Sequence, residues 1–234
     1  MKIIAIGDIH GKSVWIRASQ DNKEADLVIF LGDYVDGSLS NQEIYDNLHT
    51  ILEIKKLMPE KVILLIGNHD LQYFYYPAYR CSGFRAEAQP ALSALFTENK
   101  DLFSVAYQYK NYLFTHAGIS GRWFETHQEK LTAAGLTETK ENLAQVLNEI
   151  NQTLARGMLH RVSMYRGGLH ASGGITWADK KETMNDPFPG FHQVVGHSRV
   201  KEITRIDFSA TFADTSITYT DCLDQTTAFL TLQV

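Results

Sequence analysis

The sequence predicts an α/β protein in which a mainly parallel sheet opens the chain and a second sheet, mixed or antiparallel, packs on it. Three observations predict this. Strand-length apolar runs alternate with helical periodicity through the first 70 residues, later runs are short and closely spaced, and Gly-Asp, Gly-Asn or Gly-His follows several of the runs. Strand–helix–strand order requires crossovers and hence a parallel sheet, whereas short runs a few residues apart make hairpins.

The elements follow in order. Lys2–Ile6 reads as a strand buried on both faces and ended by Gly7. A helical stretch runs from about Ser13 to Gln20, and Leu27–Leu31 is a second buried strand. Over residues 41–57, Ile44, Leu48, Ile51, Leu52 and Ile54 recur at helical intervals, with Asn41 as the N-cap. Val62–Ile66 is the third buried strand. Leu102–Tyr109 and Tyr112–Thr115, separated by Lys110-Asn111, read as an antiparallel hairpin. Leu143, Val146, Leu147, Ile150 and Leu154 predict a helix over about Lys140–Ala155, and the glycines from Gly167 to Gly174 mark a long loop. Gln193–Val195 is then a strand, and Ile203–Phe208, Thr211–Ala213, Ser216–Tyr219 and Thr227–Gln233 form a C-terminal meander. No repeat, low-complexity tract or linker-like break interrupts the 234 residues, which predicts one domain, 1–234.

Composition narrows the function classes. The chain is 44% hydrophobic and 21% charged, ordinary values for a globular protein. A net charge of −5 without a basic run argues against nucleic acid or an anionic membrane as partner. Cys81 and Cys222 lie far apart with no Cys-x-x-Cys spacing, which speaks against a disulfide framework and fits a reducing compartment. Met1–Ile6 lacks the long apolar core of a signal peptide, and no run is long enough to span a membrane. The expected localisation is cytoplasmic; oligomeric state is not legible.

Five short segments concentrate metal-ligand residue types: Gly7-Asp8-Ile9-His10-Gly11, Gly32-Asp33-Tyr34-Val35-Asp36-Gly37, Gly67-Asn68-His69-Asp70, Thr115-His116-Ala117-Gly118 and Gly196-His197-Ser198. Asp8, His10, Asp33, Asn68, His116 and His197 form an oxygen–nitrogen set suited to divalent first-row metals. In a parallel sheet, loops beyond the carboxyl ends of strands gather at one edge, so residues distant in sequence can converge there. Any single Gly-Asp is only a turn signal. Five together, at buried strand ends, call for compensating partners.

These blocks resemble the calcineurin-like metallophosphoesterases, and more narrowly the branch of serine/threonine phosphoprotein phosphatases and diadenosine tetraphosphate hydrolases. They occur in order from position 7 to 198. The resemblance implies an α/β two-sheet sandwich flanked by helices, four layers in all, with a dinuclear metal centre of manganese, iron or zinc. It implies that Asp8, His10 and Asp33 hold one ion, and that Asp33 bridges to a second held by Asn68, His116 and His197. A metal-bridging hydroxide then attacks phosphorus in line. His69 is the natural acid for the leaving group, oriented by Asp36, while Asp70 reads as a residue that holds its loop.

Departures from the family pattern bear on substrate. Phosphoprotein phosphatases usually place a phosphate-clamping Arg after the second Asp of the second block, where this chain has Gly37 followed by Ser38. Arg80, Arg85 and Arg166 are the candidate replacements, and the resemblance favours Arg166, which lies between the last two histidine blocks, where relatives often supply a second phosphate-binding Arg. The last block, Gly196-His197-Ser198, lacks the second His typical of diesterase and nuclease members. Tyr73, Phe74, Tyr75, Tyr76 and Tyr79 either stack a base or pack on the sheet, and Trp177 either walls the pocket or anchors its loop. His49, His127, His160, His170 and His192 have no ligand partners at motif spacing. The leading expectation is a phosphatase acting on a phosphorylated small molecule or phosphoprotein. A dinucleoside polyphosphate hydrolase is the alternative, and a non-catalytic module that has lost its metals is the third.

Overall fold

Ten strands make two sheets in the computed structural model, which describes residues 1–17, 24–223, 225–226 and 229–234. The strands are β1 (Lys2–Ile6), β2 (Leu27–Phe30), β3 (Val62–Leu65), β4 (Phe103–Ser104), β5 (Ala106–Tyr109), β6 (Tyr112–Thr115), β7 (His192–Val195), β8 (Thr204–Asp207), β9 (Ser216–Tyr219) and β10 (Leu230–Gln233). The first sheet has the order β10-β1-β2-β3-β4 and the second β5-β6-β7-β9-β8. β1 to β4 pair in parallel, with β10 antiparallel on the edge. The second sheet is mixed: β6, β7 and β9 are parallel, and β5 and β8 are antiparallel edges.

The continuous apolar runs have a simple cause. Successive strand side chains point to opposite faces, and both faces here are covered. Ile3 and Ala5 of β1, with Leu27, Ile29, Leu31 and Leu65, meet Phe114 and Val194 of the other sheet. Ile4, Ile6, Phe30 and Leu64 face the opposite way, in one core with Ile44, Leu48, Ile51 and Leu52 of helix α1 (Asn41–Leu57). The helices that flank the sheets include α2 (Asn68–Phe74), α3 (Gln89–Glu98), α4 (Gly121–Ala133), α5 (Leu143–Asn151) and α6 (Lys180–Asn185). No helix among the described residues is long and apolar enough to cross a membrane.

Several boundaries differ from the sequence reading. α1 is capped by Ser40, not Asn41, through a capping box in which Ser40 Oγ accepts from Glu43 N and Glu43 Oε2 accepts from Ser40 N. The run 102–109 is split between sheets. At the break, Val105 N and Ala106 N donate to Asn148 Oδ1 instead of a neighbouring strand. The helix expected over 140–155 is shorter, and a 3₁₀ segment, Leu154–His160, follows it. Leu154 does not continue the apolar face; it is 99% exposed. Residues 211–213 turn rather than extend, because Thr211 N and Phe212 N both donate to Phe208 O. The C-terminal strand leaves the meander and closes the edge of the first sheet beside β1. Residues 15–17 are helical, as expected; positions 18–20 of that helix and 227–228 of the last strand lie outside the described residues. Helices α2, α3, α4 and α6 had no counterpart in the sequence reading.

Candidate metal centre

Parallel strands deliver the site. Asp8 follows β1, Asp33 follows β2, Asn68 follows β3, His116 follows β6 and His197 follows β7, so all five lie beyond carboxyl ends. Backbone bonds tie the loops together: Ile9 N and His10 N donate to Asp33 O at 3.0 and 2.7 Å, and Gly196 N donates to His116 O at 2.9 Å. Asp70, buried at the start of α2, accepts from Gly67 N, Asp33 N and Tyr34 N at 2.8, 2.8 and 2.9 Å. That is the loop-holding role read from the sequence. His10, Asp33, Asp36 and His197 all have left-handed backbones, with φ of 45, 54, 68 and 58°. Such strain in non-glycine residues persists only where surrounding structure enforces it, and here it clusters around the candidate donors.

The donor atoms converge. Asn68 Oδ1 lies 2.9 Å from His116 Nε2 and 2.8 Å from His197 Nδ1. Asp33 Oδ2 lies 3.5 Å from His116 Nε2 and 3.9 Å from His10 Nε2, so one carboxylate stands between the two groups. The far ring nitrogens are tied to backbone: His116 Nδ1 to Leu31 O at 2.7 Å and His10 Nδ1 to Val35 O at 3.0 Å. Those bonds fix each ring with Nε2 facing inward. Asp8 is buried and accepts from His197 N at 2.9 Å, on the same cavity wall.

Electrostatics fit a cation here. Burial opposes the Asp33 carboxylate, yet the imidazoles of His116, His69 and His10 together hold its pKa well below the usual range. Burial pushes Asp8 up to about 6 against the pull of His116, with Asp33 adding to the rise. For His116 burial is outweighed mainly by Asp33, which lifts it to about 9. His197 is depressed well below its ordinary value by burial, His116 and Arg166, and its Nε2 is buried without a hydrogen-bond partner. Protons on imidazoles thus balance buried carboxylates, and hard divalent ions among oxygen and nitrogen donors would take over that balance.

Beside these donors, His69 Nδ1 meets Asp36 Oδ2 at 2.7 Å. Burial alone would lower the His69 pKa, but Asp33 and the Asp36 bond raise it to about 12. Asp36 also accepts from Gln72 Nε2 at 2.6 Å and Tyr73 Oη at 2.5 Å, so its carboxylate is held by three donors. Gln72 was not singled out from sequence, and Tyr73 was read there only as a stacking or packing aromatic, not as a partner of Asp36; the signal that could have found both is their place within five residues of Asn68 on the same short helix. Cys81 was also missed, and its thiol completes a group with Asp36 and His69.

A cavity of about 510 Å³ opens over the donors, lined by Asp8, His10, Asp33, Asn68, His69 and His197 together with Lys12, Arg166, Trp177, Arg199 and Asp221. Of the three candidate arginines, only Arg166 reaches it. Arg166 Nε pairs with Asp179 Oδ2 at 2.7 Å and Nη2 donates to Ser198 Oγ at 2.8 Å. Arg85 instead braces the second-block loop, donating to Gly37 O, Leu39 O and Asn41 Oδ1. Arg80 lies over the Phe84 ring. Gly37 has φ +95°, and a side chain there would press on the His10 backbone, so an Arg at this position would be strained. The five aromatic residues after Asp70 do not line the cavity; Tyr73 stacks on Phe84 and Phe74 packs on Phe96 and Phe103. Trp177 does line it, its ring edge-on to His197.

A fold and centre of this kind define a metal-dependent phosphoesterase. The chain belongs to the calcineurin-like phosphoesterase family, whose model matches residues 1–198, and is thereby a phosphoric ester hydrolase. A structure of a cold-active protein-tyrosine phosphatase from a psychrophilic Shewanella species is 17% identical, covers 99% of this chain and 75% of its own, and superposes with a TM-score of 0.56. A second structure of cold-active protein tyrosine phosphatase gives 17% identity, 99% and 73% coverage and a TM-score of 0.57. A protein serine/threonine phosphatase from Saccharomyces cerevisiae gives 13% identity, 94% and 66% coverage and a TM-score of 0.49. The likeness to the tyrosine phosphatase is one of fold. A comparison with curated proteins gives no match.

Proposed function

We propose that this chain is a phosphomonoesterase that works with two divalent ions, one among Asp8, His10 and Asp33 and the other among Asp33, Asn68, His116 and His197. The observation that carries this reading is the Asp33 carboxylate standing between two sets of donors. When bound, such a pair would neutralise phosphoryl oxygens and lower the pKa of a bound water. The remaining work falls to the protein. Arg166, fixed by Asp179 and Ser198, presents its guanidinium to the non-bridging oxygens, and the cavity adds Lys12 and Arg199. His69 gives a proton to the leaving oxygen from Nε2, while Asp36 holds Nδ1 and sets the ring. Trp177 walls the cavity against water beside His197.

The cavity suits a phosphoryl group on a small or side-chain-sized leaving group. A dinucleoside polyphosphate would need base-stacking surfaces, and none of the aromatic residues after Asp70 lines the cavity. The ligand residues are all present, and Asp33 lies close both to His10 and to His116 and His197, which speaks against a non-catalytic module. We read the chain as one domain, because strands from its two ends, β1 and β10, pair in one sheet. A reducing cytoplasm suits Cys81 and Cys222, both free thiols.

Metal-loaded protein assayed on p-nitrophenyl phosphate, phosphotyrosine and phosphoserine peptides, nucleotides and a dinucleoside polyphosphate tests the proposal. The phosphotyrosine peptide is included because the Shewanella fold neighbour is described as a tyrosine phosphatase. Monoester turnover that needs metal is expected. Protein that neither binds divalent ions nor hydrolyses any phosphoester would refute it.

A further inference from the structure

Asp221 lies at the strand edge and cavity wall that carry other candidate donors. It follows β9 by two residues, as Asp8 follows β1 and His197 follows β7. β9 pairs in parallel with β7, so its carboxyl end opens at the same edge. The backbone then fixes the loop: Thr220 N donates to Val195 O at 2.8 Å, and Val200 N donates to Asp221 O at 2.9 Å. Gly7 lets it come close, because a Cβ there would collide with the Thr220 carbonyl. Asp221 is thereby carried to the wall of the cavity that Asp8 and His10 also line.

Its side chain is unusual among the buried carboxylates of the site. Asp8, Asp33, Asp36 and Asp70 each accept hydrogen bonds from named backbone or side-chain donors. Asp221 as a residue is only 8% exposed and lines the cavity, and among the described residues no hydrogen bond or ion pair is seen to its carboxylate. A buried carboxylate without a donor is costly unless a cation meets it.

We infer that Asp221 is a further carboxylate ligand of the metal centre, on the side of Asp8, His10 and Asp33. This rests on the two-ion reading above. It makes the two sides unequal: one has three carboxylates and an imidazole, the other one shared carboxylate, an amide oxygen and two imidazoles. The oxygen-rich side favours the harder ion, and the nitrogen-rich side a more borderline one.

Mn²⁺ binding to metal-stripped protein, followed by calorimetry and by the electron paramagnetic resonance signal of free Mn²⁺, tests this without recourse to turnover. Wild type is expected to bind two equivalents. Asp221→Asn should weaken one of them by roughly 10–100-fold, leave the other within about twofold, and lower the Mn²⁺-induced rise in melting temperature. Asp221→Glu, which keeps the charge, should recover most of the lost affinity. Both equivalents unchanged in Asp221→Asn would overturn the assignment, as would equal weakening of both with a lowered melting temperature in EDTA, the mark of a merely structural residue. Wild type that binds fewer than two ions would overturn the two-ion reading and this inference with it.

Discussion

His160 makes stability depend on pH in a way that can be isolated. It lies in the 3₁₀ segment beneath the Trp177 loop, 2% exposed, with Nδ1 3.1 Å from Thr176 Oγ1 and Nε2 2.9 Å from Asn151 Oδ1. The Tyr75 and Tyr79 rings face it, and Arg156 is the charged group that bears on it. Burial above all, then Arg156, lowers its pKa from 6.5 to about 3. The folded state therefore refuses a proton that the unfolded chain takes up. Its contribution is complete above the unfolded pKa and is lost as pH falls from 6.5 toward about 3. At pH 5 the gap is 1.5 pH units, or about 2 kcal/mol at 1.36 kcal/mol per unit. His160→Gln keeps a hydrogen-bonding side chain of similar reach and removes the titration. Urea unfolding of both proteins in EDTA, at pH 7.5 and pH 5, cancels every other titrating group. The stability difference between wild type and variant should move by about 2 kcal/mol toward the variant at the lower pH. An unchanged difference would refute the reasoning, because His160 would then titrate alike in both states.

The remaining predictions concern turnover. His69→Gln should cost about 10²–10⁴-fold in kcat on phenyl phosphate and much less on p-nitrophenyl phosphate, whose leaving group needs little protonation; equal losses on both would remove His69 from the acid role. Asp36→Asn, which disturbs the anchor of the His69 ring, should show the same leaving-group pattern with a smaller loss and little change in KM. Arg166→Ala should raise KM for a monoester about tenfold or more, and unaltered KM and kcat would place phosphate recognition elsewhere. Dialysis against a chelator should abolish activity, and Mn²⁺ should restore it; activity that survives full metal removal would contradict the two-ion proposal.

The chain by itself determined the strand ends and the chemistry placed on them. Continuous apolar runs ended by Gly-Asp, Gly-Asn or Gly-His are local features, set by a few neighbouring residues, and they located Asp8, Asp33, Asn68, His116 and His197 beyond β1, β2, β3, β6 and β7. The helices of low contrast were not legible, and neither was the split of 102–109 between sheets, because Asn148 on a distant helix decides it. Which arginine reaches the cavity was also a tertiary matter: Arg85 is spent on the Gly37 loop and Arg166 is held by Asp179 and Ser198. Asp221 is the clearest case. Thr220-Asp221-Cys222 carries no motif, and Asp221 reaches the cavity wall only because β9 pairs with β7 and sets that loop against Gly7. Local pattern specifies what each segment presents, whereas strand pairing across nearly the whole chain specifies which segments meet.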